Sequence, residues 1–528
     1  MLKGFNGIGQ KESASGNQYL QVFSTLEQKL LPQKFSVATV AEIEEAVRLA
    51  ETAFDAYKIL TAENRAVFLE TIAEEIINLG NDLIIIAIQE SGLPEGRLLG
   101  ERGRTIGQLK LFAATLREGS WVNAVIDTAI PDRSPIPRSD IRMMQVPLGP
   151  VVVFGASNFP FAFSTLGGDT VSALAGGNPV IVKAHEAHLG TNELMASAIK
   201  KAIEKCRIPD GTFSFVIGDG QVTGMQLVKH PGIKAIGFTG SFNAGMAIYK
   251  AAVNDRTEPI PVFAEMSSIN PILLLPGKLQ QDPLTVAGVI ANSITLGAGQ
   301  FCTNPGVLLL IDNDAAGVFI EHLIKLLSAT PPALMLNPQV CTNYYKSFEN
   351  IKQQNGVNIL YSGNNDSSEY KGSAALLQVS DVDFINNPAL QQEVFGPSSL
   401  IVLCKNESTL LAAVQSLQGQ LTATVFCDVT DMENYAACIN VMSNKVGRIL
   451  FNNVPTGVEV CHAMVHGGPF PATTDARSTS VGTLAINRFV RPLCFQDCPQ
   501  EFLPDALKNE NPLNIMRKIN GRYTTEII

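Results

Sequence analysis

After Pro150 the chain alternates short apolar runs with segments of helical periodicity, and this alternation limits the possible folds more than any other feature. Short runs rich in Val, Ile and Phe are typical of buried strands. Their alternation with helices predicts an α/β fold with parallel strands and crossover helices, in which ligands bind beyond the carboxyl ends of the strands. The predicted strands are 151–154, 180–183, 213–217 and 235–238, and the predicted helices are 164–176, 190–204, 221–229 and 240–253.

Length and composition indicate a large folded protein. The 528 residues exceed what one hydrophobic core normally holds, so two or three domains are expected. The content of 46% hydrophobic and 17% charged residues excludes a disordered chain. A formal net charge of −10 argues against partners such as nucleic acids or anionic membranes, and no run of 18 apolar residues predicts a membrane span.

The N-terminal residues and the cysteines bear on the cellular location. The first residues contain no apolar segment of signal-peptide length, which predicts a cytoplasmic protein. The nine cysteines are scattered and odd in number, so they fit reduced thiols better than a disulfide framework.

A cysteine and a glutamate are the first candidates for catalysis. Cys302 lies in Gly-Gln-Phe-Cys-Thr-Asn-Pro-Gly (299–306), where small and turn-forming residues would leave a thiol open to a substrate. Glu265 lies in an apolar stretch that predicts a strand followed by a turn, and burial there should raise its pKa and suit it as a base. Each residue alone has a simpler interpretation, because most isolated cysteines are inert and most glutamates are solvated.

Two glycine-rich stretches follow predicted strands. Residues 218–224 resemble a dinucleotide fingerprint, but their spacing is one residue too long, so a plain tight turn explains them as well. Gly240, Ser241 and Gly245 are a better candidate, because glycines would let the start of a helix approach an anion closely. Lys183 ends another predicted strand and would add a cation, although structural lysines are common there.

Taken together, these segments resemble the aldehyde dehydrogenase superfamily over nearly the whole chain. The matching motifs occur in the order of that family: Ser-Asn158-Phe-Pro-Phe, Gly-Gly-Asn-Pro-Val-Ile-Val-Lys183, Gly-Phe-Thr-Gly240-Ser241, Glu265 in its apolar setting, Gly-Gln-Phe-Cys302 and Gln-Glu393-Val-Phe395-Gly-Pro. The motifs at 183–188, 301–306 and 455–473 resemble the branch that holds 2,5-dioxopentanoate (alpha-ketoglutaric semialdehyde) dehydrogenases and a group of fatty-aldehyde dehydrogenases.

The resemblance implies the domain organisation. It predicts a Rossmann-type cofactor-binding domain, an α/β catalytic domain, a small β arm for oligomerisation and a C-terminal tail. The implied boundaries are 1–130 and 151–264 for the first, 265–485 for the second, 131–150 and 486–510 for the arm, and 511–528 for the tail. It also implies a homo-oligomer, either a dimer or a tetramer.

The resemblance implies roles for the site residues as well. Cys302 would attack the aldehyde carbon, while the side chain of Asn158 and the backbone N–H of Cys302 would donate to the oxyanion. Glu265 would activate the water that hydrolyses the thioester. Lys183 would serve both catalysis and cofactor binding, and the full set of implied cofactor contacts is Lys183, Glu186, Gly240, Ser241, Gly245, Glu393 and Phe395.

Two positions bear on the choice between NAD and NADP. Glu186 falls where NADP-preferring members of the resembled branch tend to carry a small hydroxyl residue, and an unpaired carboxylate there would repel a 2'-phosphate. Gln221 stands where such members can carry an arginine, and it offers no cation. The sequence therefore favours NAD, with NADP possible if Glu186 turns into solvent.

The remaining candidates are a metal site and residues that bind the substrate. His462, His466, Cys461, Cys494 and Cys498 invite a metal interpretation, but their spacing does not match usual zinc sites and the resembled family uses no metal, so none is expected.

The resemblance to this branch implies that His466 lies near the thiol, in place of a second glutamate found in other aldehyde dehydrogenases, although an ordinary loop histidine is an equal alternative. Arg477 is predicted to meet a substrate carboxylate, unless it pairs with Asp475.

The function implied is the NAD(P)-dependent oxidation of an aldehyde to an acid through a cysteine thioester, with 2,5-dioxopentanoate as the expected substrate. Two alternatives stay open at this point: a dehydrogenase of medium- or long-chain aliphatic aldehydes, and a non-catalytic binding protein on the same scaffold. The joint presence of Cys302, Glu265, Asn158 and Lys183 argues against the second alternative.

Overall fold

A seven-stranded sheet forms the first half of the fold, and the computed structural model describes it within residues 2–528. Its strands, in spatial order, are Val262–Glu265, Ala235–Thr239, Val151–Phe154, Val180–Lys183, Phe213–Val216, Asn6–Ile8 and Lys11–Ser13. The first five run parallel, and the last two are antiparallel additions. The predicted alternation of strands and helices after Pro150 is therefore confirmed.

The order of the strands creates a crevice for a ligand. From Val151–Phe154 the chain adds two strands on one side, then returns to add Ala235–Thr239 on the other side. In open α/β sheets this change of direction marks the usual ligand site, at the carboxyl ends of the strands.

Helices cover both faces of this sheet. They are Val40–Tyr57, Ala62–Asn78, Gly80–Ser91, Glu95–Glu118, Gly168–Ala175, Leu189–Cys206, Met225–Lys229 and Phe242–Asn254. Thr39 caps the first of them in a reciprocal capping box with Glu42, and Thr61 caps the second. None of the described helices is both apolar and long enough to span a bilayer.

A second seven-stranded sheet forms the other half. Its strands, in spatial order, are Asn358–Ser362, Ala375–Ser380, Ser398–Cys404, Val307–Ile311, Ile272–Leu274, Gln420–Phe426 and Val446–Phe451. All neighbours are parallel except the first pair. The helices around it are Pro276–Gln281, Pro283–Thr295, Asp314–Ala329, Pro338–Lys352, Asp381–Asn386, Glu407–Ser416, Val429–Asn434 and Ala436–Ser443.

A five-stranded sheet stands apart from the two large ones. Its strands, in spatial order, are Val490–Gln496, Ile141–Pro147, Val125–Asp127, Arg517–Ile519 and Arg522–Thr524. The first two belong to the segments predicted as the arm, and Val490 pairs with Pro147. The last two come from 511–528, so the segment described above as a tail is part of the same sheet.

Three short ribbons complete the secondary structure. They pair Tyr19–Leu20 with Phe35–Ser36, Phe23–Ser24 with Lys29–Leu30, and Ala333–Leu334 with Lys371–Gly372.

The segment after Phe451 joins the two halves at the end of the strand Val262–Glu265. Glu265 forms an isolated β-bridge with Thr473, and Met266 N donates to Ala472 O at 2.7 Å. The carboxyl edge of the first sheet is thereby brought against Ala472 and Thr473.

Candidate active site

The loop that carries the nucleophile begins at a kink after the helix Pro283–Thr295. Ala298 has a left-handed backbone with φ of 55°, and Gly299 follows with φ of 65°. A Cβ added at Gly299 would lie 2.3 Å from backbone atoms of Gly396, so only glycine permits this close approach. The packing fixes the backbone immediately before Cys302.

Cys302, His466 and Glu265 meet at the centre of the site. His466 Nε2 lies 3.3 Å from Cys302 Sγ and 2.8 Å from Glu265 Oε1. Ser480 Oγ donates to Glu265 Oε2 at 2.6 Å. Glu265 and His466 are both buried, and Cys302 is partly exposed. The fold therefore brings the predicted nucleophile, the predicted base and the predicted histidine into one contact cluster.

The hydrogen on His466 can be placed from its surroundings. Within residues 2–528, Nδ1 of His466 is buried without a hydrogen-bond partner, so a hydrogen on that atom would be unsatisfied. A hydrogen on Nε2 can donate to the carboxylate of Glu265, which is a stronger acceptor than a thiol. The proton of Cys302 is then left to contact Glu265 rather than the imidazole.

These contacts decide which groups are charged. Burial raises the pKa of Glu265, but the contact with His466 and the hydrogen bond from Ser480 outweigh it, so the pKa lies below that of an ordinary glutamate. Burial and the charge of Glu265 raise the pKa of Cys302 well above that of a free thiol. The resting pair is a thiol beside a carboxylate.

The predicted rise in the pKa of Glu265 is wrong. Its apolar sequence neighbours correctly indicate burial, which alone disfavours the charged form. The opposing effect comes from His466, which is 201 residues away in sequence. A single sequence shows the first effect and hides the second.

Asn158 lies against the nucleophile loop. Its Nδ2 donates to Gln300 O at 3.2 Å, and because an amide NH₂ has two hydrogens, one remains for a substrate oxygen. Arg97 Nη2 donates to Asn158 O at 2.6 Å, and the guanidinium of Arg97 packs 4.8 Å from the ring centre of Phe301. Arg97 therefore ties the backbone of Asn158 to the loop of Cys302.

Lys183 and Glu186 contact each other at the carboxyl end of the strand Val180–Lys183. Lys183 Nζ lies 2.5 Å from Glu186 Oε1, and the side chain of Glu186 is 40% exposed. The assumption that Glu186 presents an unpaired carboxylate is therefore wrong. The missed signal was the spacing of three residues, which lets a short turn bring the two side chains together.

Gly240 and Ser241 are exposed at the end of the strand Ala235–Thr239. Ser241 caps the helix Phe242–Asn254, where its side chain accepts from Ala244 N at 3.4 Å. The start of this helix thus lies open at the edge of the sheet, as the sequence predicted.

The structural role of Gly245 differs from the predicted one. It is buried, and a Cβ there would lie 2.7 Å from the sulfur of Met266. The glycine lets the helix pack against Met266 rather than letting a ligand approach the backbone. Its place among the residues that contact a cofactor is therefore corrected to a packing role.

Glu393 and Phe395 line one cavity with Gly299 and Phe301 of the nucleophile loop. Burial raises the pKa of Glu393 to about 7, although contacts with Ser267 and its neighbour oppose this rise. The two residues are therefore close enough to the loop of Cys302 to act on a ligand that reaches the nucleophile.

Arg477 lies away from this buried cluster. Its side chain is 90% exposed and pairs with Asp475 at 3.0 Å. This is the alternative that the sequence left open, and it does not support the prediction that Arg477 meets a substrate carboxylate.

Sequence reasoning missed two residues near the centre. Ser480 lies only three residues beyond Arg477, but nothing in the pattern marks its contact with Glu265. Arg104 lies on the helix Glu95–Glu118, where its guanidinium packs 5.2 Å from the ring centre of Phe163. The same helix also buries Glu101 and Gln108, so no local pattern marks Arg104 as a residue of the site.

The residues that cluster in the structure differ from those considered for a metal site in the sequence. Within residues 2–528, Glu265, Cys302 and His466 are the group whose ligand-type atoms lie within 4.8 Å of one another. The cysteines considered for a metal, Cys461, Cys494 and Cys498, are free thiols outside this group. The three clustered residues are already linked by hydrogen bonds suited to proton transfer, so we assign them to acid–base and nucleophilic chemistry.

The sequence matches a known family over most of its length. Residues 12–469 match the model of the aldehyde dehydrogenase family. The chain is 49% identical over 488 residues to alpha-ketoglutaric semialdehyde dehydrogenase 2 of Azospirillum brasilense, covering 92% of this chain and 93% of that protein. It is 47% identical over 491 residues to alpha-ketoglutaric semialdehyde dehydrogenase of Acinetobacter baylyi, covering 93% of each.

Solved structures agree on the fold. A 1-pyrroline-5-carboxylate dehydrogenase from Thermus with bound NAD aligns with a TM-score of 0.78 at 21% identity, covering 93% of this chain and 92% of that one. A betaine aldehyde dehydrogenase from Staphylococcus aureus aligns with a TM-score of 0.78 at 18% identity, covering 96% of this chain and 100% of that one. With a matched family model, two close relatives and the same fold, the chain belongs to the aldehyde dehydrogenase family.

Proposed function

We propose that the enzyme oxidises 2,5-dioxopentanoate to 2-oxoglutarate with NAD as the oxidant. The observation that carries this proposal is the cluster of Cys302, Glu265 and His466, in a chain whose relatives at 47% and 49% identity are alpha-ketoglutaric semialdehyde dehydrogenases. The cluster supplies the chemistry, and the relatives indicate the substrate.

The first step joins the thiol to the aldehyde. Cys302 Sγ forms a bond to the aldehyde carbon, and its proton passes to the carboxylate of Glu265. Proton transfer has to accompany attack, because burial and the charge of Glu265 keep the pKa of the thiol high. The developing oxyanion would accept hydrogen bonds from the free amide hydrogen of Asn158 and from Cys302 N–H.

A nicotinamide cofactor, when bound, accepts the hydride that leaves the same carbon. The carbon is then a thioester on Cys302, and it has to be hydrolysed to release the acid. Glu265 first releases to solvent the proton that it took from Cys302, and it then acts again as the base that takes a proton from water. His466 and Ser480 keep this carboxylate ionised and oriented, since both donate to it.

The residues at the edge of the first sheet fit a dinucleotide. The helix start at Ser241 lies open beside the strand end, and it offers backbone N–H groups and the positive end of a helix dipole to phosphate. Lys183 and Glu393 provide polar groups of the kind that bind ribose hydroxyls, and Phe395 provides an apolar ring next to the nucleophile loop. We assign the cofactor to these residues.

NAD is favoured over NADP by the charges in this region. The cation of Lys183 is already paired with Glu186, so a 2'-phosphate would have to displace that carboxylate to gain a positive partner. Gln221 supplies no charge in compensation. Binding of NADP remains possible because the side chain of Glu186 is partly exposed.

An aliphatic aldehyde is the second candidate substrate, and one observation favours it. Phe159, Val458, Val460 and Met464 pack in an apolar cluster with Phe163, whose ring lies 6.3 Å from that of His466. An apolar lining of this kind suits an alkyl chain as well as the methylene groups of a short keto acid.

Steady-state kinetics with purified enzyme distinguish the two substrates. We expect kcat/KM for 2,5-dioxopentanoate and succinic semialdehyde to exceed that for pentanal and decanal about ten- to a hundredfold, because a charge-assisted hydrogen bond to the carboxylate contributes roughly 1.5 to 3 kcal/mol. If decanal is oxidised more efficiently than both acids, the second candidate takes the place of the first.

We also propose that the enzyme is a cytoplasmic homo-oligomer. The strand Val490–Gln496 lies at the edge of the five-stranded sheet, and most of its residues are exposed or half-buried, so another copy could pair with it. All nine cysteines are free thiols, as a reducing compartment would keep them. Light scattering of the purified protein would report a monomer if this assembly were absent.

A further inference from the structure

Arg104 is a cation beside the active site that takes no part in the steps above. It lies on the helix Glu95–Glu118, and its guanidinium lies 5.2 Å from the ring centre of Phe163 and 6.0 Å from that of Phe159. The ring of Phe163 in turn packs on His466, with centroids 6.3 Å apart. One aromatic ring therefore separates Arg104 from the catalytic cluster.

Arg104 has a donor without an acceptor. Within residues 2–528, its Nη1 is buried and has no hydrogen-bond partner. Burial lowers the pKa of Arg104, and the charges of Glu101, Glu265 and Glu459 oppose this. A buried donor without a partner is costly and needs a physical explanation. A ligand that brings an acceptor would remove that cost.

The other arginines near the site are held by backbone carbonyls. Arg97 donates to Asn158 O at 2.6 Å, and Arg448 donates to Pro455 O at 2.8 Å. Each would have to give up such a bond to turn toward a ligand. Arg97 also packs on aromatic rings and has a buried Nη1 without a partner, but its bond to Asn158 O holds it in place. Within residues 2–528, Arg104 combines aromatic packing and an unpartnered Nη1 with no such bond to a backbone carbonyl.

The surroundings of Arg104 would strengthen a bond to an anion. The side chains beside it, Phe159 and Phe163, belong to an apolar cluster with Val458, Val460 and Met464. Water competes less well in such a place, so a charge-assisted hydrogen bond there is stronger than one in solvent. Packing against two rings already restricts the rotamers of Arg104, so its side chain would lose less conformational entropy when a ligand binds.

We propose that Arg104 forms the subsite that binds the carboxylate of the substrate, at the end remote from the aldehyde. The inference rests on the proposed function, because it assumes a short aldehyde that carries a carboxylate. The planar guanidinium can pair with both carboxylate oxygens. An alkyl aldehyde would leave Nη1 unpaired, so the subsite selects keto acids over fatty aldehydes in the same apolar channel.

The test compares Arg104→Leu with the parent enzyme on 2,5-dioxopentanoate and pentanal. We expect KM for 2,5-dioxopentanoate to rise about ten- to a hundredfold with little change in kcat, because the carboxylate is bound equally in the ground state and the transition state. The constants for pentanal should change far less, so the ratio of the two specificity constants falls.

Two further variants guard against a general loss of structure. Arg104→Lys keeps the charge but not the fork of donors, and it should restore part of the preference for the keto acid. Arg102→Leu removes another arginine from the same helix, one that donates to Gly80 O, and it should leave the ratio unchanged. Binding of the product 2-oxoglutarate, measured by calorimetry, should weaken in Arg104→Leu by the same factor as KM rises.

The outcomes separate this inference from the proposed function. A parent enzyme that prefers pentanal contradicts the keto acid substrate and the subsite together. If the parent prefers 2,5-dioxopentanoate and Arg104→Leu keeps that preference, the proposed substrate is supported and only the role of Arg104 is contradicted. Loss of the preference in Arg104→Leu, with partial recovery in Arg104→Lys, supports both.

Discussion

His466 Nε2 donates to Glu265 Oε1 across 2.8 Å, and both side chains are almost completely shielded from solvent. The contact holds the base in its charged form although burial opposes that charge. It also keeps the imidazole hydrogen away from Cys302, which can then give its own proton to Glu265. The contact between His466 and Glu265 therefore affects both the pKa of the base and the transfer of the proton from Cys302.

Removing His466 should move the acid limb of the pH–rate profile. His466 lowers the pKa of Glu265, so His466→Ala raises it, and the ionised base is then lost at a higher pH than in the parent. Since a hydrogen bond to a charged group contributes about 1.5 to 3 kcal/mol, the limb in kcat/KM should move up by about one to two pH units. The measurement is kcat/KM between pH 5 and 9.

Ser480→Ala is the matched control for that profile. Ser480 donates to the other oxygen of Glu265, so its removal should shift the limb in the same direction but less. An unchanged limb in both variants would show that Glu265 is not the group that titrates in the reaction.

Alkylation of Cys302 by iodoacetamide should be slow at neutral pH in the enzyme without ligands. Burial and the charge of Glu265 raise the pKa of the thiol, and only the thiolate reacts. The rate constant of inactivation should therefore keep increasing beyond pH 8.5, the range in which a free cysteine is already half ionised. A plateau reached near pH 7 would indicate a thiolate at rest and contradict this assignment.

Asn158→Ala should remove one donor to the oxyanion. Loss of such a donor typically costs about 3 kcal/mol of activation free energy, so kcat should fall by about a hundredfold. Thermal unfolding checks that the variant is folded, because Asn158 Nδ2 also bonds to Gln300 O. A folded variant with kcat within threefold of the parent would place the oxyanion elsewhere.

The cofactor preference should be modest. The pairing of Glu186 with Lys183 reduces the repulsion of a 2'-phosphate, so we expect kcat/KM to favour NAD by about fivefold, equivalent to about 1 kcal/mol. Glu186→Thr removes the carboxylate, frees Lys183 and should shift the preference toward NADP. Equal constants for both cofactors in the parent, unaffected by this substitution, would argue against any role of Glu186.

The sequence predicted the parts of the fold that depend on local patterns. The alternation of strands and helices between Val151 and Thr239 follows from apolar runs in the sequence. The pairing of Arg517–Ile519 with Val125–Asp127 could not be predicted, because it joins segments that lie far apart in sequence and leaves no periodic signal in either of them.

The site residues also divide into those marked by local sequence and those that depend on contacts between distant segments. Cys302 and Glu265 were found because each lies in an unusual local setting, and the resemblance to the family added Asn158. The direction of the pKa shift of Glu265 and the packing of Gly245 on Met266 depend on side chains that only the tertiary fold brings together. A single sequence therefore identifies reactive groups more readily than it identifies what surrounds them.

The proposed mechanism requires that Cys302 carries the substrate as a thioester, which Glu265 helps to hydrolyse. It is tested most directly by mixing Glu265→Gln with 2,5-dioxopentanoate and NAD, then measuring NADH by stopped flow and the mass of the quenched protein. Because Glu265 also takes the proton of Cys302, the mixing is done at alkaline pH, where the thiol ionises without that base. We then expect a burst of about one NADH per site, followed by slow turnover, with an acyl group attached to the peptide that contains Cys302. A variant that turns over like the parent, with no burst and no acyl group on Cys302, would contradict it.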